Sequence, residues 1–191
     1  MLIAGVDEAG RGALAGPVVA AAVILDPDHP ESSLYKDSKT LSETQRHHLY
    51  LHLKEHSRAI GIGIVNQVLI DRLNILNATM LAIKRAVLSL KKVSPDRILI
   101  DGNRKPQIPG YEDIQTIIKG DAKVPCISAA SIVAKVVRDQ IMCKLHTHFS
   151  QYQFQQNKGY GTAFHYEQIL KFGKSSIHRR TFNLTKQLEL F

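Results

Sequence analysis

Apolar residues recur along this chain with two spacings. Residues 2–6 form a short unbroken apolar run, and 18–25 form a longer one, rich in Ala, Val and Ile, directly after the turn signal Gly16-Pro17. Residues 59–64 alternate Ile with Gly, which suits a strand tightly covered by another element. Residues 97–100 and 114–118 are short apolar runs that stop abruptly, at Asp101-Gly102 and at Lys119-Gly120-Asp121. Elsewhere the spacing lengthens to that of a helix. Residues 42–56 open with Ser42 and Gln45, the pair of a capping box, and carry Leu49 and Leu53 on one face. A second helix is predicted over 74–90 from Leu76, Met80, Ile83 and Val87, and a third over 128–149 from Ile132, Val136, Ile141 and Leu145. Gly159-Tyr160-Gly161-Thr162 reads as a loop, and 163–172 as a short helix.

Strands gathered early, followed by helices alternating with short strands, predict an α/β fold with a mixed sheet layered by helices. There is no internal repeat and no low-complexity tract. The Gln-rich stretch 151–158 is the one candidate linker, dividing a main unit (1–150) from a small helical C-terminal region with a basic, polar tail (151–191). A chain of 191 residues with 44% hydrophobic content can bury one good core. The longest apolar stretch, 17–25, is too short to cross a bilayer, and no basic segment precedes an apolar one at the N-terminus, so a secretory signal is not expected. The two cysteines, Cys126 and Cys143, fit no ligand pattern and read as free thiols of a reducing, cytoplasmic setting. The formal net charge of +8 favours a polyanionic partner, most simply nucleic acid.

The chemistry concentrates at strand ends. Asp7 and Glu8 sit back to back where the first apolar run ends, and Asp101 and Asp121 follow later strands, each with a Gly close by. Taken singly, each acid has a plain explanation: Asp-Gly is a common turn, and Glu8 could pair with Arg11. Taken together, four carboxylates at one sheet rim could not all stay ionised without cations. Mg²⁺, a hard ion that prefers oxygen ligands, fits such a set, and two such ions would serve a phosphodiester displacement. The following Gly10-Arg11-Gly12 allows bare backbone to approach a polyanion.

The ordered series Gly5-Val6-Asp7-Glu8-Ala9-Gly10-Arg11-Gly12, Lys36-Asp37-Ser38-Lys39, Ile100-Asp101-Gly102, Lys119-Gly120-Asp121, Ser128 to Lys135, Gly159-Tyr160-Gly161-Thr162 and His178-Arg179-Arg180 resembles the type 2 ribonucleases H, specifically the bacterial ribonucleases HII. The likeness runs from residue 3 to about 182. One departure is Thr181 in place of Ser, which keeps a hydroxyl.

The resemblance implies an RNase H-like fold: a central five-stranded mixed sheet flanked by helices, with a small helical C-terminal region completing the substrate site. By the same likeness Asp7, Glu8, Asp101 and Asp121 would be the catalytic acids and would bind Mg²⁺ or Mn²⁺. The activity implied is hydrolysis of the RNA strand of RNA–DNA hybrids, and cleavage 5′ of ribonucleotides embedded in duplex DNA, leaving 3′-hydroxyl and 5′-phosphate ends. Gly10, Arg11 and Gly12 would read the 2′-hydroxyl through the backbone, the only sugar group that separates RNA from DNA. Tyr160 would pack on the deoxyribose 3′ of the ribonucleotide.

Lys36, Ser38 and Lys39 would hold phosphates or form a solvated charged loop. Ser128 and Ser131 would cap the long helix, or also face the nucleic acid. Asp139 is expected to pair with a nearby Arg or Lys. His178, Arg179 and Arg180 could add phosphate contacts, and a histidine there could protonate a leaving group. His48, His52 and His56 resemble a metal stripe but read as a solvated face.

The last residues, Gln187-Leu188-Glu189-Leu190-Phe191, resemble the pentapeptide by which bacterial replication and repair proteins dock on a sliding clamp; the alternative is a tail packed on its own domain. Two other classes stay open: a nuclease of the same fold that cuts DNA, and a non-catalytic basic module that binds hybrids. The first is opposed by the 2′-hydroxyl-reading loop and Tyr160, the second by the intact acidic set. A monomer is expected.

Overall fold

The computed structural model describes residues 1–26, 35, 41–90, 93–183. Five strands form one sheet: β1 (Ile3–Ala9), β2 (Val18–Leu25), β3 (Ser57–Val65), β4 (Arg97–Asp101) and β5 (Ile114–Ile117), in the order β3-β2-β1-β4-β5. β1 is antiparallel to β2, β2 to β3, whereas β4 runs parallel to both β1 and β5. The sheet is therefore mixed, as the strand and helix pattern predicts, and five-stranded, as the resemblance implies. Among the described residues five helices accompany it: α1 (Glu43–His56), α2 (Gln67–Leu88), α3 (Pro125–His146), α4 (Phe154–Asn157) and α5 (Ala163–Phe172).

Side-chain alternation along β1 and β2 sorts the core into two layers. Ala4, Val6, Ala20, Ala22 and Ile24 face α2, whose Ala78, Ala82, Ile83, Ala86 and Val87 are buried. Ala9, Ala21 and Val23 face α3 and Leu53 of α1. Small residues let the α2 layer close. A Cβ at Gly61 or Gly63 would lie 2.1 Å from the carbonyl oxygen of Ala86 or 2.0 Å from that of Ala82, so the Ile-Gly alternation marks a helix resting directly on β3.

The capping box at Ser42 is formed: its Oγ accepts from the Gln45 N–H at 3.2 Å, and its own N–H donates to Gln45 Oε1 at 2.9 Å. α2 begins earlier than its apolar period suggests. Asn74, at φ 63°, breaks it into two pieces, and Asn66 and Asn74 each cap one of them through Oδ1. The first piece, with one fully buried residue (Ile70), carries too little periodicity to be read from sequence. α3 starts three residues before the predicted 128, with Pro125 at its first turn. In the predicted histidine stripe, His52 is half-buried and its Nδ1 meets the Tyr35 hydroxyl at 2.9 Å, so that face is not simply solvated.

The stretch expected to be a linker carries core residues. Tyr152 and Phe154 pack with Leu14, Ala15, Met142, Tyr166 and Ile169 in a third apolar cluster, which ties residues 152–177 to α3 and to the loop after β1. No helix among the described residues is long and apolar enough to cross a membrane.

Candidate active site

The site is built where α3 passes over β1. At Gly5 the helix backbone lies so close that a Cβ would sit 2.1 Å from the carbonyl carbon of Cys126. Two residues on, Asp7 shares a hydrogen bond with Ser131. Further along, a Cβ at Gly10 would meet Arg138 Nε at 1.9 Å, and one at Gly16 would meet Met142 Sδ at 2.3 Å. The glycines of this segment thus lay the chain of residues 5–16 along one side of α3.

Asp7 and Glu8 lie inside β1, which continues to Ala9 rather than ending before them. In the parallel pairing of β1 with β4, Val6 stands opposite Ile100, so Asp7 and Asp101 follow at the same level. Asp101 Oδ1 accepts the Gly120 N–H at 2.7 Å, which brings the short 3₁₀ turn Gly120–Ala122, and with it Asp121, to the same rim.

Burial, then the charge of Glu8, pushes the Asp7 carboxyl up to about 8; Asp101 adds to this, while Ser131 and the Glu8 N–H oppose it. Burial also raises Glu8, against the pull of Arg11, whose Nη1 lies 3.2 Å from Glu8 Oε1. Among the described residues no group of three or more His, Cys, Asp or Glu is disposed to grip a metal ion as it stands, so the carboxylates share a rim without forming a closed cage. The donor set nonetheless fits a hard divalent ion: all oxygen, with a carboxyl whose anion is disfavoured by burial and by Glu8 and would be favoured by a nearby cation.

Beside the rim lies a cleft of about 390 Å³ lined by Glu8, Ala9, Gly10, Arg11, Arg46, Ser131, Lys135 and Tyr160. Gly10 is buried at φ 93°, Arg11 and Gly12 are exposed, and a Cβ at Gly12 would meet nothing within 4 Å. The half-exposed Tyr160 ring lies over Arg138, 5.1 Å from its Cζ, and 5.9 Å from Lys135 Nζ. Arg46 and Lys135 were not singled out in the sequence. Lys135 pairs at 2.7 Å with Asp139, the ion pair expected for that acid, and Arg46 donates to the Leu41 carbonyl at 2.7 Å.

Three residues expected at the nucleic acid sit elsewhere. Ser128 is 1% exposed, lies within the first turns of α3 rather than at its cap, and donates to the Tyr35 carbonyl. Arg179 is fully buried, with its guanidinium committed to backbone carbonyls, so it cannot reach a phosphate. His178 is 2% exposed and cannot protonate a leaving group, because both its ring nitrogens are engaged. Arg180 remains exposed, its backbone N–H bonded to Asp71 at 2.9 Å. Asp71 also receives the Thr181 N–H and hydroxyl at 3.0 and 2.7 Å, a role for Thr181 that Ser would fill equally. Lys36, Ser38, Lys39, Gln187, Leu188, Leu190 and Phe191 lie outside the described residues.

The histidines form a chain with determined tautomers. The Tyr160 carbonyl can only accept, so His165 Nδ1 carries the proton (2.8 Å). His165 Nε2 then accepts from His178 Nε2–H at 3.0 Å, and His178 Nδ1 accepts the Ser175 N–H at 2.9 Å. Both rings are neutral, and the chain ends on the backbone of the residue whose ring lines the cleft.

Burial, then His165 and Lys174, lowers His178 to about 4 from 6.5. The unfolded chain therefore takes up this proton at higher pH than the native fold does. The stability contributed is whole above pH ~6.5 and lost as pH falls toward ~4, roughly 3 kcal/mol in all. In urea unfolding between pH ~7 and ~4.5, His178→Gln should flatten the acid loss seen in the parent protein. Parallel curves for the two proteins would refute this.

Carboxylates level on neighbouring parallel strands, beside a cleft lined by Glu8, Arg11, Arg46 and Lys135, accord with a metal-dependent nuclease of the ribonuclease H type, the class that the comparisons show. The family model for ribonuclease HII matches residues 4–185, and the chain belongs to that family. Its fold is similar to that of RNase HII in a PCNA:RNase HII complex from Archaeoglobus fulgidus (TM-score 0.79, 27% identity, 96% of this chain and 96% of that one). It is also similar to ribonuclease H2 from Pyrococcus horikoshii OT3 (0.78, 28%, 100% and 98%). Bst-RNase HIII in complex with Mn²⁺ matches at 0.77 and 20% identity over 100% of this chain and 70% of that one, a likeness of fold.

Proposed function

We propose that this ribonuclease H hydrolyses the RNA strand of RNA–DNA hybrids and cuts duplex DNA on the 5′ side of an embedded ribonucleotide, leaving 3′-hydroxyl and 5′-phosphate ends. The observation that carries the reading is the shared cleft: Gly10, Arg11 and Tyr160 line it together with Glu8, next to the other acids of the rim. Asp7, Glu8, Asp101 and Asp121 would hold two divalent ions, Mg²⁺ or Mn²⁺. When bound, these supply the positive charge that activates the attacking water and stabilises the departing 3′ oxygen.

The protein's own groups do the rest. The backbone of Gly10, Arg11 and Gly12 tests the sugar for its 2′-hydroxyl without reading a base. The Tyr160 ring, braced from below by Arg138, meets the deoxyribose on the 3′ side and so favours an RNA–DNA junction. Lys135, Arg46 and Arg180 offer positive charge to the phosphates, which positions the duplex without reading its sequence; Lys36, Ser38 and Lys39 extend that role. Such an enzyme would serve in removing misincorporated ribonucleotides and in processing RNA primers.

Duplex DNA carrying one ribonucleotide should be cut on that nucleotide's 5′ side only when a divalent ion is added, and all-DNA duplex should be cut far more slowly. Equal cutting of the two duplexes would overturn the reading.

For the tail, Gln187, Leu188, Leu190 and Phe191 suit docking on a sliding clamp, the leucines and phenylalanine filling an apolar groove while the glutamine adds a directional hydrogen bond. The complex that the Archaeoglobus relative forms with PCNA supports this. Deleting residues 187–191 should abolish binding to a purified clamp and leave cleavage of short duplexes intact; unchanged clamp affinity would refute it.

A further inference from the structure

Arg138 and Arg179 are both 0% exposed. Among the described residues neither forms an ion pair. Instead their two guanidiniums bind six backbone carbonyls. Arg138 donates to Pro17 (3.0 Å), Lys158 (2.9 Å) and Ala15 (3.2 Å). Arg179 donates to Gly16 through Nε (3.1 Å), to Arg11 through Nη1 (2.7 Å) and to Gly10 through Nη2 (2.6 Å). Burying a cation without a carboxylate is costly, and burial duly pulls Arg179 down to about 9. The irregular segment between β1 and β2 explains the arrangement. The carbonyls of Gly10, Arg11, Ala15, Gly16 and Pro17 turn onto the two guanidiniums, and a buried carbonyl needs a donor.

The direction of the Arg179 bonds has a consequence for the cleft. In a trans peptide the C=O of one residue and the N–H of the next point in opposite directions. With the carbonyls of Gly10 and Arg11 turned inward onto Arg179, the N–H groups of Arg11 and Gly12 are turned outward. Both residues are exposed, and space is open beside Gly12. The rest of the loop is clamped to the same C-terminal segment: Gly16 N–H donates to Ile177 O (2.9 Å), and Arg179 N–H donates to Leu14 O (2.9 Å).

We propose that Arg179 is a positioning residue for ribose selectivity: by holding the Gly10 and Arg11 carbonyls inward it presents the Arg11 and Gly12 N–H groups to the 2′-hydroxyl. This rests on the reading that the loop tests the sugar. A planar fork serves both carbonyls at once, which a lysine ammonium, a single point of charge, cannot do. Lysine at 179 should therefore leave the two peptide planes free to turn.

The test compares kcat/KM on two duplexes, one with a single ribonucleotide and one with the matching deoxynucleotide, for the parent protein, Arg179→Lys and Arg179→Met. A general loss of stability lowers both rates together and leaves their ratio unchanged. Mispositioned peptides lower the ribonucleotide rate alone, so the ratio should shrink at least about tenfold in both variants. A folded variant with the parent ratio would overturn the proposal. A parent protein that does not discriminate would overturn the sugar-reading itself, so the two failures are distinct.

Should the variants not fold, amide exchange on the parent protein decides. The Arg11 and Gly12 amides should exchange fast in the free protein and become protected by a hybrid in the absence of divalent ions, while the Gly16 amide is protected throughout. Slow Arg11 and Gly12 exchange in the free protein would refute the outward orientation.

Discussion

Asp101→Asn should abolish cleavage while leaving hybrid binding intact or stronger. The substitution is nearly isosteric, and the asparagine Oδ1 can still accept the Gly120 N–H that Asp101 Oδ1 accepts at 2.7 Å, so the 3₁₀ turn that carries Asp121 stays docked. What disappears is one negative charge at the level of Asp7. That charge repels phosphate, so removing it favours binding of the duplex, but on the proposed reading it would also help to attract divalent ions to the rim. Losing a single electrostatic stabiliser of a transition state costs about 10² to 10³ in rate, and if Asp101 holds a metal ion as proposed its loss should reach or exceed the top of that range. Single-turnover cleavage and a binding titration on the same duplex separate the effects. A variant within tenfold of the parent rate would remove Asp101 from the active site.

Gly5→Ala should prevent folding. The added Cβ would lie 2.1 Å from the carbonyl carbon of Cys126 and 2.3 Å from both its oxygen and the Ile127 nitrogen. All three are backbone atoms of the first turn of α3, so no side chain can swing aside. To relieve the overlap α3 would have to lift off β1, unpacking Ala129, Ala130 and Val133 and separating Ser131 from Asp7. Overpacking against atoms that can move typically costs 1–3 kcal/mol; against fixed backbone in the central strand we expect upwards of about 4 kcal/mol, a large part of a small protein's stability. Soluble yield and the urea midpoint report it. A variant with the parent's midpoint would show that the helix does not press on the strand as described.

Local chemistry made much of this protein legible in advance. The Ser42–Gln45 cap and the Ile-Gly alternation of β3 are patterns among neighbouring residues, and each has one economical structural solution. Where reading failed, a distant segment decided. The stretch 151–158 looks like a polar linker because its glutamines outnumber its aromatics, yet Tyr152 and Phe154 find Leu14 and Met142 and enter the core. Asn74 has no local signal beyond its tolerance of positive φ, so the piece of α2 before it went unseen.

The sequence by itself determined which chemistries are available here: four carboxylates suited to hard cations, glycines on either side of Arg11 that allow close backbone contact, and a surplus of basic residues for a polyanion. It could not decide how each group is used. Arg179 and Arg180 are identical and adjacent, yet one is sealed under the loop of residues 10–17 and the other faces solvent. Charge is a property of the residue, whereas burial is a property of what packs over it. For Arg179 the covering carbonyls belong to residues 10, 11 and 16, and only the folded chain brings them to the guanidinium.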